Sequence, residues 1–386
     1  MIRLDILSLL AGAMAVGTGC AGAATAAGAP DRATDGGAPE ADQATDGGSP
    51  EADRVTDGGA PARVVGYKSY DVPLPPDYDL GRLTHLVDAF LVPGPDGDLW
   101  TGVPAEMLLP AMRADRDRAH DHGAAFMISV ADTLNADDGL VAMAANPDAR
   151  QRFVRDVVQL CVDEKIDGVD IDWEKWPDDG VLDPAETASY GALVAELSAG
   201  LHANGLVLST AVAPSDWYGR HFPRAALDDL DWLNVMAYEF SGSWSPQIGH
   251  HAGYRDGVAS LAYWTGRGAS KGKLMLGVPF YGVSFDGMHL GDAVTGPGPL
   301  GWTMTYSQIA ARIADGAYGP VQHDPNGGAY VTAEHEITFF NDDQDLRRKA
   351  ALVTGQGYGG MMIWELAQDI DGSGSLLGSI SSALAR

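Results

Sequence analysis

Residues 167–174 read DGVDIDWE, a segment in which acidic and apolar side chains alternate. Successive side chains of a β-strand point to opposite faces, so Asp170, Asp172 and Glu174 share one face. A strand rises about 3.3 Å per residue, which sets neighbouring acids of this row roughly 6–7 Å apart. The other face carries the apolar residues Val169, Ile171 and Trp173. Such a strand fits the wall of a barrel, with the acids inside and the apolar side chains against helices.

Seven other segments are also short and rich in β-branched and apolar residues. Helical patterns separate them, for example 150–164 and 184–204, and this alternation indicates parallel strands joined by crossover helices. The eight candidate strands are 64–70, 84–92, 124–130, 168–173, 206–213, 232–237, 273–280 and 359–364. They predict an α/β protein with a (β/α)8 TIM barrel. A doubly wound open sheet is the alternative, but no Gly-rich phosphate-binding fingerprint follows the first strand.

The chain between the seventh and eighth candidate strands is too long for one helix and a loop. We therefore expect a small insertion in the barrel at about residues 282–357. Its tail, 343–352, carries Leu346, Lys349 and Ala350 and is a candidate for the last crossover helix.

The composition narrows the functional classes. The chain has 386 residues, of which 45% are hydrophobic and 20% charged, as in globular proteins with a sizeable core. Its formal net charge of −28 would repel nucleic-acid phosphates and anionic bilayers, so neither is an expected partner. The two cysteines, Cys20 and Cys161, cannot supply a disulfide framework or a Cys-based zinc site.

The N-terminus has the pattern of an export signal. Arg3 precedes an apolar run at 6–16 that is too short to span a bilayer, so residues 1–20 are expected to be a signal peptide. The pair Gly19-Cys20 resembles a bacterial lipoprotein cleavage site, in which Cys20 would become the lipidated N-terminal residue. Ordinary cleavage slightly later, at the small residues 21–23, is the alternative. The protein is thus expected to be secreted or a cell-surface or outer-membrane lipoprotein.

Residues 21–62 form an acidic segment that lacks hydrophobic periodicity. The unit Thr-Asp-Gly-Gly recurs with a period of 11, starting at positions 34, 45 and 56. Such a sequence cannot bury enough apolar surface to order itself, which predicts a flexible linker. Calcium loops are a weaker interpretation, because each repeat runs quickly into proline and lacks the terminal bidentate glutamate.

An acidic row inside a barrel points to acid–base chemistry. Like charge and removal from water should keep at least one proton in the row near neutral pH. We interpret Glu174, the outermost acid, as the proton donor and Asp172 as its partner. A magnesium or calcium site is an alternative, since Asp88, Asp132 and Glu239 lie near other strand ends. Packing alone would cost several kcal/mol for each unpaired buried acid.

The same segment matches in full the signature D-x-x-D-x-D-x-E of glycoside hydrolase family 18, which comprises chitinases and endo-β-N-acetylglucosaminidases. The sequence resembles this family from about residue 64 to residue 369. Further family-like segments are 83–85 (LTH), 89–90 (AF), 249–252 (GHHA), 277–282 (GVPFYG) and 359–364 (GGMMIW). The resemblance implies a catalytic barrel over residues 63–386 with no cofactor and no metal. His250 and His251 are interpreted as loop structure, because adjacent histidines cannot easily point at one metal.

The resemblance also implies a mechanism and a set of site residues. In substrate-assisted retention the substrate's own 2-acetamido oxygen replaces an enzyme nucleophile. Glu174 would protonate the glycosidic oxygen and Asp172 would hold the acetamido N–H. Asp170 would hold the proton shared with Asp172, and Tyr238 would steady the acetamido oxygen. The implied substrate-binding residues are Trp364, as the floor under the −1 sugar, with Tyr67, Phe90, Met236, Glu239 and Tyr281. For Trp364, Tyr67 and Phe90 an ordinary core position is the alternative.

Two residues depart from the family pattern. Glu239 stands where the family usually has aspartate, which moves the carboxylate about one methylene toward the sugar or leaving group. Asp132 stands at the end of strand three, where the family usually has glycine, and adds an acid near the site. Ser129 on the same strand can still support Asp170.

The expected function is an exported hydrolase of β-1,4-linked N-acetylglucosamine polymers, with chitin as the first candidate. Its partner would be chitin or another N-acetylglucosamine glycan, the protein would be a monomer, and membrane contact would come only through a lipid on Cys20. One alternative is an endo-β-N-acetylglucosaminidase that acts on N-glycans or on peptidoglycan glycan. A non-catalytic chitin-binding lectin is the other, and the intact Glu174 and Asp172 argue against it.

Overall fold

The computed structural model describes residues 61–132, 139–176 and 181–385. Eight parallel strands close into a barrel in the order β1-β13-β7-β6-β5-β4-β3-β2, with strands numbered along the chain. The barrel strands are β1 (Arg63–Ser69), β2 (His85–Leu91), β3 (Ala125–Ala131), β4 (Gly168–Asp172), β5 (Val207–Val212), β6 (Trp232–Val235), β7 (Leu274–Pro279) and β13 (Gly360–Trp364). The predicted TIM barrel is confirmed, and the open-sheet alternative was wrong because β1 pairs with both β2 and β13.

A second, antiparallel sheet is inserted between β7 and β13. Its order is β10-β11-β12-β8-β9, and its strands are β8 (Tyr281–Asp286), β9 (Thr303–Thr305), β10 (Gln322–His323), β11 (Ala329–Ala333) and β12 (Glu336–Phe339). The expected insertion at 282–357 also includes the helix Asp343–Gln356, which packs on β13 and connects the inserted sheet to the last barrel strand.

Helices cover the outside of the barrel and one face of the inserted sheet. They are Ala105–Asp121, Gly139–Ala145, Pro147–Glu164, Pro184–His202, Asp216–Gly219, Ala226–Asp229, Tyr254–Gly266, Tyr306–Ala314, Asp343–Gln356 and Leu376–Leu384. Pro147–Glu164 begins with proline at its first position, and the side chain of Asn146 accepts hydrogen bonds from two backbone N–H groups of its first turn. Within the described ranges, no helix combines the length and the apolar character needed to cross a membrane.

The predicted barrel strands differ from the observed ones by one or two residues at one or both ends, and two of these differences have a visible cause. Lys273 was assigned to the seventh strand but lies in a 3-10 turn that precedes β7. Ala237 was assigned to the sixth strand, yet its N–H donates to the carbonyl of Val235, so the backbone turns as β6 ends. This early turn matters for the site, because the residues that follow β6 enter the mouth of the barrel.

Successive side chains of β4 point to opposite faces of the barrel wall, so the strand separates two layers of the core. Val169 and Ile171 are fully buried in the apolar layer that also contains the helix residues Phe153 and Leu193. A second cluster contains Tyr67, Trp232 and Trp364 from the barrel strands and continues onto Phe285 and Phe339 of the inserted sheet. A third, smaller cluster lies between the inserted sheet and its helix Tyr306–Ala314. The inserted sheet therefore has one face continuous with the barrel interior.

Candidate active site

Asp170 lies at the centre of a buried hydrogen-bond network. Its Oδ2 accepts hydrogen bonds from the hydroxyls of Tyr67 and Ser129, both at 2.8 Å. Its Oδ1 accepts from the hydroxyl of Ser209 at 2.5 Å and from the amide of Asn234 at 3.1 Å. Burial raises the pKa of Asp170, while these four hydrogen bonds oppose the rise because they favour the ionised form. Four donors fix the position of this carboxyl group.

Asp172 and Glu174 follow Asp170 toward the mouth of the barrel. Asp172 is 6% exposed, and its buried Oδ1 accepts no hydrogen bond from the described part of the chain. Burial, then the charges of Glu174 and Asp170, raise the pKa of Asp172 well above its usual range. Glu174 is open to solvent, yet the surrounding protein raises its pKa to about 7, with a further contribution from the charge of Glu239. Glu174 can therefore hold a proton near neutral pH where a ligand can reach it.

Glu239 adds a fourth acid at the mouth. It has a φ of 61°, the left-handed region that costs a side-chain-bearing residue about 1–3 kcal/mol. The hydroxyl of Tyr281 donates to its Oε1 at 2.7 Å. Burial raises the pKa of Glu239 and this hydrogen bond opposes the rise. Tyr281 also contacts Tyr238 edge to face, with ring centroids 6.3 Å apart.

Aromatic rings converge on Trp364 at the end of β13. Phe90 stacks on Trp364 with ring centroids 5.6 Å apart, and Tyr67 is tilted against it at 5.8 Å. Trp364 is 9% exposed and Tyr67 is 2% exposed, with its hydroxyl on Asp170. Met236 and Tyr238 pack at the edge of the same cluster. All the described residues that the sequence suggested for catalysis or sugar binding thus lie in or beside one interior cluster, while Cys20 lies outside the described residues.

The metal alternative for this site loses one of its proposed ligands. Asp88 faces away from the interior, because Val87 and Ala89 on either side of it point inward. It forms an ion pair with the buried Lys68 at 3.6 Å. Asp132 follows β3, and its Oδ1 accepts from the N–H of Leu140 at 3.4 Å.

Donor groups suited to an ion occur elsewhere. In the described ranges the one set of metal-ligating groups close enough to share an ion is His323, Asp342 and Asp345, on the inserted sheet and the helix after it.

The interpretation of His250 and His251 as loop structure agrees with the contacts of His250. Its Nε2 bonds the carbonyl of Phe340, and its Nδ1 accepts a hydrogen bond from the N–H of Ala252.

Sequence reasoning missed two members of the network around Asp170. The sequence pattern indicates Ser209 on β5 and Asn234 on β6 only as strand residues. Both are polar residues within largely apolar strands and both are fully buried, so their side chains need partners in the interior. Asn234 also donates to the hydroxyl of Tyr67 at 2.8 Å, which leaves that hydroxyl to donate to Asp170. The support of Asp170 by Ser129, expected from the sequence, is confirmed.

Comparison with known proteins agrees with this geometry. The sequence model of the glycosyl hydrolases family 18 matches residues 63–369, which includes every barrel strand and the inserted sheet. The chain belongs to family 18. The predicted family resemblance is therefore confirmed, and the acid row on β4 lies within the matched region.

Individual relatives of this family 18 chain are chitinases. Endochitinase 1 of Metarhizium anisopliae is 29% identical over 265 residues, which cover 63% of this chain and 61% of that protein. The chain thus spans less than two thirds of that relative. The crystal structure of the class V chitinase from Nicotiana tobaccum has a TM-score of 0.74 and 24% identity, and covers 84% of this chain and 99% of that one. The group II chitinase catalytic domain 2 of Ostrinia furnacalis has a TM-score of 0.71 and 25% identity, covering 84% and 96%.

Proposed function

We propose that this family 18 chain hydrolyses β-1,4-linked N-acetylglucosamine polymers, with chitin as the first candidate, by a substrate-assisted retaining mechanism. The relatives named above are chitinases, and a mutant of the Ostrinia furnacalis domain has been solved in complex with (NAG)5. The complete row of Asp170, Asp172 and Glu174 supports a catalytic role over a lectin role, because a lectin has no need of a proton donor at the mouth.

In the proposed reaction Glu174 donates its proton to the glycosidic oxygen as the bond to the anomeric carbon breaks. The 2-acetamido oxygen of the −1 sugar attacks the anomeric carbon and forms an oxazolinium ion. Asp172 accepts a hydrogen bond from the acetamido N–H and stabilises this cation, while the hydroxyl of Tyr238 donates a hydrogen bond to the acetamido oxygen. The ionised Glu174 then takes a proton from water as the water attacks the anomeric carbon. Two displacements at the same carbon leave the β configuration retained.

The observation that carries this proposal is the state of Asp172. A buried carboxylate oxygen without a donor is costly, and nearly all buried polar groups in proteins are paired. Oδ1 of Asp172 has no donor among the described residues, although the carboxyl group of Asp170, one strand repeat away, has four. An acetamido N–H from a sugar under Glu174 would supply the donor that Asp172 lacks.

The test compares Glu174→Gln with the wild type on chito-oligosaccharides. The amide keeps the shape of the side chain but cannot donate the proton, so turnover should fall about 10²–10⁴-fold while oligosaccharide binding persists. A variant that keeps more than about a tenth of wild-type activity would contradict the assignment. Fully deacetylated oligomers should resist cleavage, because they lack the attacking oxygen. Parallel assays on a high-mannose glycopeptide and on peptidoglycan glycan distinguish chitin from the other candidate substrates.

We further propose that the protein is exported and that residues 21–62 serve only as a tether. The apolar run at 6–16 and the repeats at 34, 45 and 56 support this, and both lie outside the described residues. Removal of residues 21–62 from the exported protein should leave the melting temperature and the turnover of soluble substrate unchanged. A Cys20→Ala variant in a bacterial host tests lipidation, which should be lost if Cys20 carries the lipid. A clear drop in melting temperature after the deletion would show that the segment packs on the barrel.

A further inference from the structure

The barrel closes where its first and last strands meet, between β1 and β13. Registered pairing across this seam begins at Arg63 with Gly360 and ends at Gly66 with Ile363. The pairs on either side reach further toward the mouth, to Ser69 with Ala89 and to Trp364 with Pro279. The seam pairing therefore ends one residue below Tyr67 and Trp364, the two aromatic residues that face each other across it.

The side chain of Glu365 spans this upper part of the seam. Its Oε2 accepts hydrogen bonds from the backbone N–H and from the hydroxyl of Ser69, both at 2.9 Å. Glu365 is 8% exposed and Ser69 is 3% exposed, so water competes little for these bonds. Lys68 contributes positive charge near this carboxylate, and its Nζ donates to the carbonyl of Ser69 at 2.9 Å. Side-chain bonds thus join the ends of the two strands above the last registered pair.

The two residues joined in this way adjoin the aromatic floor. Glu365 follows Trp364 directly, and Ser69 lies two residues after Tyr67, whose hydroxyl is bound to Asp170. The ring centroids of Tyr67 and Trp364 are 5.8 Å apart. On its other side Trp364 is held by the backbone, where its carbonyl accepts from the N–H of Phe280. Relative movement of the two strand ends would therefore change the distance between Trp364 and the Tyr67–Asp170 pair.

We propose that Glu365 is a positioning residue that holds Trp364 in place against Tyr67 by binding Ser69 across the barrel seam. The inference rests on the proposed function, in which Trp364 is the floor under the −1 sugar. Glu365 acts through Trp364 and does not touch the sugar. Its contribution is to keep the floor at a fixed distance from the acid row, where a misplacement of about 1 Å can cost a large factor in rate.

The experiment is a double-mutant cycle between Glu365→Met and Trp364→Ala, read as kcat/KM on chitotetraose. Loss of the charged acceptor should lower kcat/KM about tenfold in the wild-type background. In the Trp364→Ala background the same substitution should change kcat/KM less than about twofold, because the residue through which Glu365 acts is already gone. Glu365→Gln should restore most of the activity, since its amide oxygen can accept both bonds from Ser69. If Glu365→Met fails to fold, Ser69→Ala takes its place in the cycle. It removes the hydroxyl donor and keeps the N–H, so it should cause an intermediate loss of kcat/KM.

Asp369→Asn is the matched control, because Asp369 is a buried carboxylate on the same connection that binds Ser375 and the N–H groups of Leu376 and Leu377. Its effect on kcat/KM should be the same with and without Trp364. Equal losses for Glu365→Met in both backgrounds, or no rescue by glutamine, would overturn the inference. The Kd of chitotetraose is also measured by calorimetry for each variant of the cycle. If the wild-type protein binds chitotetraose without cleaving it, only the proposed function is contradicted. A protein that does neither contradicts both.

Discussion

At the scale of single residues, Glu239 affects the proton of Glu174 most directly. Its charge is the second cause of the raised pKa of Glu174, after the displacement of bulk water by the surrounding protein. A general acid works only while protonated, so kcat/KM should fall as pH rises through about 7. Glu239→Gln keeps the hydrogen bond from Tyr281 but removes the charge, which lowers the pKa of Glu174. The alkaline limb of the kcat/KM profile should therefore move by about one pH unit toward lower pH.

The control for this prediction is Asp163→Asn, which removes a charge of the same sign from an exposed position in the helix Pro147–Glu164. Its alkaline limb should coincide with that of the wild type, because solvent screens exposed charges. An unmoved limb in Glu239→Gln, or a limb moved to higher pH, would show that Glu239 does not set the proton affinity of Glu174.

The acid row could be predicted from the sequence because its geometry is local. The period of a strand places Asp170 and Asp172 on one face whatever the rest of the chain does. The partners of Asp170 depend on topology, since Ser209 and Asn234 come from strands 39 and 64 residues away. Their roles become visible only when β4 and β5 pair and β6 brings Asn234 within reach of the interior. Asp88 shows the same limit, because its ion pair with Lys68 depends on the pairing of β2 with β1.

At the scale of elements, the barrel strands were recognisable because each is a continuous buried run between helices. The inserted sheet was expected only as an insertion of unknown form. Its strands are short, and the shortest, Gln322–His323, has only two residues. Segments of this length carry no strong hydrophobic period that would predict a strand. Position in the sheet, rather than local pattern, makes these residues strands. The helix Tyr306–Ala314 in this region has a clearer local signal, because it begins with a capping box between Thr305 and Gln308.

The helix Tyr306–Ala314 covers a small apolar core behind the inserted sheet. Ile309 is fully buried in the cluster with Met304, Tyr318 and Val331. Ile309→Ala should lower the free energy of unfolding by about 2–5 kcal/mol, the usual cost of a buried large-to-small change. Urea unfolding measures this cost. Because the cluster lies on the sheet face away from the acid row, kcat/KM below the transition should not change.

Ile313→Ala is the matched control, one turn further along the same helix at a partly buried position. Its cost should be clearly smaller than that of Ile309→Ala. Equal costs, or a loss below about 1 kcal/mol at Ile309, would mean that the helix is not held to the sheet by this cluster.

At the scale of the whole molecule, burial of acids dominates the electrostatics. Among the described residues, removal from bulk water raises the pKa of nine carboxyl groups: Asp88, Asp170, Asp172, Glu174, Glu239, Asp256, Asp345, Glu365 and Asp369. The folded state therefore binds more protons than the unfolded chain between the ordinary carboxyl range and about pH 7. Stability should fall as pH rises through that window. The net charge of −28 adds self-repulsion in the same direction.

Buried histidines act in the opposite sense at lower pH. Burial lowers the pKa of His85 to about 4 and that of His250 to about 3, and it lowers the pKa of His251 as well. These groups stay neutral in the folded protein while the unfolded chain binds protons below about 6.5. Their contribution to stability is present above that pH and is lost as pH falls through their folded pKa values.

The two effects together predict a melting temperature that peaks between about pH 5 and 6 and declines toward pH 8, measured by calorimetry at constant ionic strength. Asp88→Asn isolates one contributor. Burial raises the pKa of Asp88 to about 7, so its carboxyl group is neutral in the folded protein at pH 5 and charged at pH 8. Lys68 keeps its 2.7 Å ion pair with Asp115 in this variant, which limits the change to one group. The substitution should therefore raise the melting temperature relative to wild type at both pH values, and by clearly more at pH 8 than at pH 5. A melting temperature that rises steadily from pH 5 to pH 8, or an Asp88→Asn effect equal at both pH values, would show that the buried acids are ionised in the folded state throughout this range.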